Sequence, residues 1–260
     1  MAQYSLKKIA KKAGLGKADL HVHLAKSKPE EFLDYVQNHT DLDVVALTDH
    51  DSIEPALAVK QSMQRSIRNG KKYRFELIVG EEVTSRDGHI LGLFLKKTIL
   101  PRLSAHETLK QIKDQGGITI TAHPFQYMRW QNPKIVSMDG VGWQILLRER
   151  KLIDGIEIIN ASPGMGDENL EATTINRTVL YKAEIGSSDA HILEVIGKGY
   201  TVFKGKTAAQ LCHAILWRQT QAIHGKWSWR TLLKYGWFFL PDGLRLGFYT
   251  LKYGRRQAAR

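Results

Sequence analysis

Residues 18–23 read ADLHVH and residues 43–49 read DVVALTD. Each is a short apolar run that ends in ionisable side chains. Between them, Pro29-Glu30-Glu31 opens a helical pattern with Phe32, Leu33 and Val36 on one face. Strand, helix and strand, with continuous apolar strand cores, is the pattern of a parallel sheet buried on both faces. The same order recurs further along, at 76–83 (ELIVGEEV), 89–95 (HILGLFL), 117–123 (GITITAH), 154–160 (DGIEIIN) and 184–189 (EIGSSD). Helices are expected at Ser52–Asn69, His106–Gln115, Trp143–Lys151, Asn169–Lys182 and Thr207–Gln219, with Ser52 as an N-cap and Gly70 as a stop. Strands three and four have no helix between them, only a tight connection through Asp87-Gly88. Seven strands with mostly helical crossovers predict a closed α/β barrel.

The chain has 260 residues, 43% apolar and 25% charged, which is ordinary globular composition with enough length for a large core. A single cysteine, Cys212, excludes a disulfide scaffold and a Cys-rich zinc finger and favours a reducing compartment. The net charge of +12 is concentrated at the ends: residues 1–18 carry +5, residues 217–260 carry +8, and the stretch between them −1. An anionic partner would therefore be met by the ends. No apolar stretch follows the basic N-terminus before Asp19, and no window approaches ~18 uncharged apolar residues. The expected location is the cytoplasm, with the inner membrane surface as the alternative. The organisation expected is a basic segment at 1–17, a barrel at 18–222 and a basic aromatic appendix at 223–260.

The ionisable residues decide the chemistry. His21, His23, Asp49, His50, Glu82, His123 and Asp189 all lie at or just past the C-terminal end of a strand-like run, the end where α/β barrels place their active sites. His21 and His23 are two apart on a strand and share a face. They are either a pair around a cation or two half-buried histidines with separate partners. Glu81 and Glu82 point opposite ways, so one faces inward. His89 begins a strand, and Asp189 and His191 repeat the two-residue spacing. Imidazoles and carboxylates without thiolates suit Zn, Mn or Fe, and a cluster of this size would hold two divalent ions, or three.

In order, DLHVH (19–23), TDHD (48–51), GEE (80–82), GHILGL (88–93), AHP (122–124), IEIINA (156–161) and SSDAH (187–191) closely resemble the polymerase and histidinol phosphatase (PHP) family, in particular its stand-alone metal-dependent phosphoesterases. The resemblance covers roughly Lys17 to Gln221. It implies a distorted (β/α)7 barrel. It also implies a first metal site of His21, His23, Glu82 and Asp189, with Glu82 bridging to a second site completed by His89 and His123. His50 and His191 match ligands of a third site. The family's further acid in the loop after the H-x-H strand is missing here. That loop reads LAKSKP (24–29) and is shortened, with Lys28 at the acid's place. Lys28 is then either a solvated surface lysine or an ammonium that replaces part of the third cation's charge near a phosphate.

The implied reaction is hydrolysis of a phosphate ester by a hydroxide held between two metals, on a nucleotide or another phosphomonoester. The alternatives are a nuclease acting on nucleic-acid ends and a non-catalytic metal-stabilised module at a membrane surface. His50 or His191 would serve as acid for the leaving oxygen if the third metal is absent. Arg129, six residues past His123, is a candidate phosphate clamp or an ordinary surface arginine. Asp19 and Asp49 are expected to orient ligand histidines, and Glu157 to support the site without being a ligand.

Residues 227–253 combine Trp227, Trp229, Trp237, Phe238, Phe239, Phe248 and Tyr249 with interspersed bases, broken by Pro241-Asp242-Gly243. Three readings apply: a helical appendix packed on the barrel, a segment lying on anionic lipid, or a surface for nucleic acid.

Overall fold

The computed structural model describes residues 14–126 and 140–240. Nine strands form one sheet, in the order β7-β6-β5-β4-β3-β2-β1-β8-β9. They are β1 (Leu15–Val22), β2 (Val44–Leu47), β3 (Glu76–Ser85), β4 (Gly88–Leu93), β5 (Ile118–Thr121), β6 (Gly155–Asn160), β7 (Ala183–Ser187), β8 (Gly199–Lys204) and β9 (Thr220–His224). The helices are α1 (Pro29–His39), α2 (Glu54–Arg68), α3 (Ala105–Asp114), α4 (Gly142–Arg148), α5 (Gly166–Ile175) with a π-helical turn at Asn176–Leu180, and α6 (Ala208–Leu216). Residues 229–240 form a further helix, α7.

All seven sequence-expected strands are present, and they curl into a nearly closed barrel. Its seam is sealed at one end by Val22, which bridges Ala190 just after β7. There the His23 N–H donates to the Ala190 carbonyl at 2.9 Å. At the other end β8 pairs antiparallel with β1 and presses on β7. The Gly186 N–H donates to Thr201 Oγ1 at 3.0 Å, and that hydroxyl donates back to the Gly186 carbonyl at 2.9 Å. The approach demands glycine: a Cβ on Gly199 would sit 2.0 Å from the Ser187 carbonyl oxygen. β8 and β9 were not read from the sequence. β8 is half-buried in alternation and lacks the continuous apolar run that marks the other strands.

Three features of the sheet position the site. First, β4 runs antiparallel to both β3 and β5. The absent helix between strands three and four thus gives a hairpin, and the first residues of β4 arrive where its neighbours end. This brings His89, at the start of its strand, to the same end as the rest.

Second, β1 carries a bulge between Asp19 and Val22 in its pairing with β2. Ala18 and Leu20 face the barrel core with Val44 and Ala46. After the extra residue, His21 and His23 take over that inward face. Third, β6 has a similar shift between Glu157 and Ile159 against β7, which lets Glu157 and Asn160, three apart, both point inward.

The barrel core is apolar, built from Ala18, Leu20, Val44, Ala46, Ile78, Leu91, Leu93, Ile118, Ile120, Ala183 and Ile185. Leu211, Ala214 and Ile215 of α6 join it, and the Ala208 N–H donates to Glu76 at the start of β3. This helix therefore lies at the end of the barrel opposite the histidines.

The helices follow their local signals, with one correction. Ser104 and Thr207 cap α3 and α6 in reciprocal boxes with Glu107 and Gln210. Ser52 does not cap α2; the cap position is Ile53, and Ser52, one residue before it, accepts the Glu54 N–H on its Oγ at 3.2 Å.

The chain separates into two compact units, Met1–Gly225 and Lys226–Arg260. In the second, the rings of Trp227, Tyr235, Phe238 and Phe239 form a cluster with centroids 4.7–5.3 Å apart.

Candidate metal centre

The site grows from one carboxylate. Glu82, on the inward face of β3, is buried and points one oxygen to each side. Oε1 lies 2.8 Å from His89 Nδ1 and 3.1 Å from His123 Nε2. Oε2 lies 3.0 Å from His21 Nε2, 3.3 Å from His23 Nε2 and 3.3 Å from His50 Nδ1. Asp189 faces the second group, with Oδ1 3.4 Å from His21 Nε2, 3.3 Å from His23 Nε2 and 3.7 Å from His191 Nδ1. Among the described residues, four sets have ligand atoms close enough to hold an ion: His23, His50 and His191; His21, His23 and Glu82; His21, His123 and Asp189; His50, Glu82 and His89. All eight side chains expected as metal ligands are thus brought together.

The donor set fits divalent cations. Ligands bonded at about 2.0–2.2 Å to one ion stand roughly 3 Å from each other, the spacing seen here. The buried ring nitrogens His23 Nε2 and His89 Nδ1 lie 3.3 and 2.8 Å from Glu82 oxygens, yet neither contact has hydrogen-bond geometry. A buried polar atom left so is costly unless something else binds it.

The charges point the same way. Burial alone would raise the Glu82 carboxyl, but the imidazoles of His21, His50 and His89 outweigh it and hold the group well below the usual range. Asp189 is held low in the same manner, against burial, by His21, His23 and His191. Conversely, burial disfavours protonated His21, yet Asp189, Glu82 and Glu157 push its pKa well above the ordinary value. His23 is raised to about 9 against burial by its contacts with Asp189 and Glu82. The buried carboxylates demand positive charge, and bound cations supply it without protons. At the mouth the balance reverses. Glu82 favours charged His50, but burial and the rings of His23, His89 and His21 together lower its pKa. Burial and His23 lower that of His191.

Around the cluster lies a supporting shell. Glu157 Oε1 accepts from His21 Nδ1 at 3.1 Å and from the Ser187 hydroxyl. Its Oε2 accepts the His123 N–H at 2.6 Å and Asn160 Nδ2 at 3.2 Å. Asn160 Nδ2 also donates to Asp189 Oδ2 at 3.1 Å. The supporting roles of Ser187, at the end of β7, and of Asn160 are not legible in the sequence; the β6 bulge that turns Asn160 inward leaves no mark there.

Two expectations need correcting. Asp19 does not hold a ligand imidazole through its carboxylate oxygens. They accept the Ser188 and Gly197 N–H groups at 3.0 and 2.8 Å, fixing the backbone next to Asp189. Asp49 does not orient His50; it accepts the Leu24 N–H at 3.0 Å and so anchors the loop after β1. Glu81, as the alternation requires, turns away and accepts the Ile99 N–H at 3.0 Å. His123 and Asp189 have φ of 25° and 51°, left-handed values uncommon outside glycine, though Asp and His adopt them more readily than most. Such backbone is retained where the surrounding contacts over-determine it.

Lys28 is exposed just before α1, where its N–H donates to Glu31 Oε2 at 3.2 Å. Arg129 lies outside the described residues.

The fold and this cluster define an α/β barrel with a buried histidine–carboxylate cluster that could hold divalent ions. Residues 176–220 match the family model described as PHP-associated. An uncharacterized protein of Methanocaldococcus jannaschii is 30% identical over 160 residues, 56% of this chain and 82% of that protein. A two-domain protein of Bacteroides vulgatus, containing a predicted PHP-like metal-dependent phosphoesterase, shares the fold with a TM-score of 0.61 at 20% identity. That match covers 81% of this chain, and the chain spans only 65% of the two-domain structure. PsfC from Pseudomonas syringae superposes with a TM-score of 0.59 at 19% identity, covering 86% of this chain and 98% of PsfC. The chain thus carries a PHP-associated segment at residues 176–220 and shares the fold of a PHP-like structure.

Proposed function

We propose that the chain is a metal-dependent hydrolase of phosphate esters, with a nucleotide or another small phosphomonoester as substrate. The observation that carries this reading is Glu82, whose two oxygens each face a separate pair of buried imidazoles. One carboxylate between two nitrogen sets is the arrangement that bridges two ions. His21, His23, Glu82 and Asp189 would hold the first ion, of Zn, Mn or Fe, and Glu82, His89 and His123 the second. When bound, such ions polarise phosphate oxygens and make water acidic enough to attack near neutral pH.

The chain's own residues do the rest. Glu157 fixes the ring of His21, so that Nε2 faces the centre. Asn160 holds the oxygen of Asp189 that His21 and His23 do not use. His50 and His191 stand at the mouth with lowered pKa values and are placed either to complete a third ion's set or to pass a proton to the leaving oxygen.

The test is phosphate release from a panel of nucleoside mono- and bisphosphates, short oligonucleotides and lipid phosphates, with protein loaded with Mn or with Zn beside Glu82→Ala. Turnover on a monophosphate that disappears in the variant is the expected result. Protein proven to hold its metals that releases nothing from any member would replace the hydrolase by a non-catalytic metal-stabilised module.

A further inference from the structure

Helix α7 has two apolar faces. One is satisfied internally, through the ring cluster of Trp227, Tyr235, Phe238 and Phe239 and the buried Thr231. The other is open. Trp229, Leu232, Leu233, Trp237 and Leu240 follow one another at the spacing of a single helix face, and all are exposed, Trp237 by 77%, Trp229 by 66% and Leu233 by 64%. About three turns of exposed tryptophan and leucine form the kind of contiguous apolar surface that marks an interaction site. Lys226, Arg230 and Lys234 lie alongside, Arg230 over the Trp229 ring at 5.3 Å, and no acidic residue occurs between 217 and 240. Among the described residues no helix is long and apolar enough to cross a membrane.

From this juxtaposition we infer that α7 lies in the interface of an anionic lipid surface, with the Trp229–Leu233–Trp237 face in the acyl boundary and Arg230 and Lys234 at the headgroups. An apolar stripe with aromatic anchors and a one-signed basic flank is the pattern of an in-plane interfacial helix. Its charge selects anionic headgroups, since each base near such a surface adds attraction that fades within a Debye length. A nucleic-acid surface would instead need its rings interleaved with bases on the face that meets the phosphates. Here the open face is leucine and tryptophan, with the bases at its edge.

The test uses the full chain and sedimentation with vesicles of phosphatidylcholine alone or mixed with phosphatidylglycerol, at low and high salt, with tryptophan emission read in parallel. Binding to the mixed vesicles with a blue shift, and a salt-resistant remainder, is expected. Leu233→Ser with Trp237→Ser should remove the salt-resistant part and weaken binding at least tenfold. Arg230→Glu with Lys234→Glu should abolish the preference for phosphatidylglycerol. Metal content and phosphate release of both variants report whether the barrel is intact. Three results overturn the inference: no binding to either vesicle, equal binding by the Leu233/Trp237 variant, or a chain that ignores vesicles but is a dimer dissociated by that variant. Steeply salt-dependent capture of oligo-dT without vesicle binding would do the same and assign the surface to nucleic acid.

Discussion

His21, His23, His89 and His123 are each at most 5% exposed, whereas the side chains of His50 and His191 are 40% and 24% exposed. The six imidazoles share one cluster, with His23 stacked on both mouth rings at centroid distances of 4.8 and 4.2 Å. Their surroundings nevertheless push them apart. On the floor, burial is opposed by carboxylates, and His21, His23 and His123 are driven toward the charged form. At the mouth, burial and the floor rings combine to favour neutral imidazole. Floor histidines therefore have a stronger need for a cation, and mouth histidines have lone pairs and solvent access for proton transfer. In the proposed function the buried floor rings would hold the ions, and the two mouth rings would serve a third ion or the leaving oxygen.

Substitutions can break that division. Glu82→Ala removes the carboxylate whose two oxygens face both floor sets and should lower phosphate release by about 1000-fold or more, ~4 kcal/mol of barrier. Elemental analysis should find metal lost from the purified variant, and full metal content with full turnover would end the bridging role. His191→Ala is expected to keep the floor metals while slowing turnover by about 100-fold, the lower range for loss of a general acid. A drop in bound metal that matches the drop in rate would move His191 from reaction to binding.

Glu157→Gln preserves shape but removes the charge that His21 Nδ1 meets. It should weaken metal retention by about 10–100-fold, the range for an outer partner of a ligand imidazole. Competition with a chelator measures this, and rescue of turnover by excess metal separates positioning from collapse of the fold. Lys28→Ala, at an exposed position before α1, should change turnover by less than about tenfold, ~1.4 kcal/mol. A larger loss with unchanged metal would bring Lys28 to the phosphate.

Much of this was legible in the residue order. Strand ends that carry His21, His23, His50, Glu82, His123 and Asp189 announced the centre, and the missing helix between strands three and four announced a tight connection. What could not be read were the devices that aim side chains. The bulges in β1 and β6 depend on pairing with β2 and β7, not on any local motif, so the inward turn of Glu157 and Asn160 has no signature of its own. Asp19 and Asp49 were recognised as supports but given the wrong cargo. Both carboxylates hold backbone N–H groups of segments that tertiary structure brings to them, Asp19 across more than 160 residues of chain. The alternating burial of β8 is weak evidence for a strand unless the barrel seam it fills is already known.

The reversal of β4 also bears on the order in which the centre can assemble. Glu82 and His89 sit on the two arms of one hairpin, seven residues apart, and a hairpin of this kind can form in about 1–10 μs. Asp189 meets His21 and His23 only after the seam between Val22 and Ala190 has closed, a contact spanning nearly the whole barrel. Contacts so distant along the chain are the slow ones. Of the five imidazoles that face Glu82, His89 alone shares its hairpin, while Asp189 joins His21 and His23 only in the finished ring.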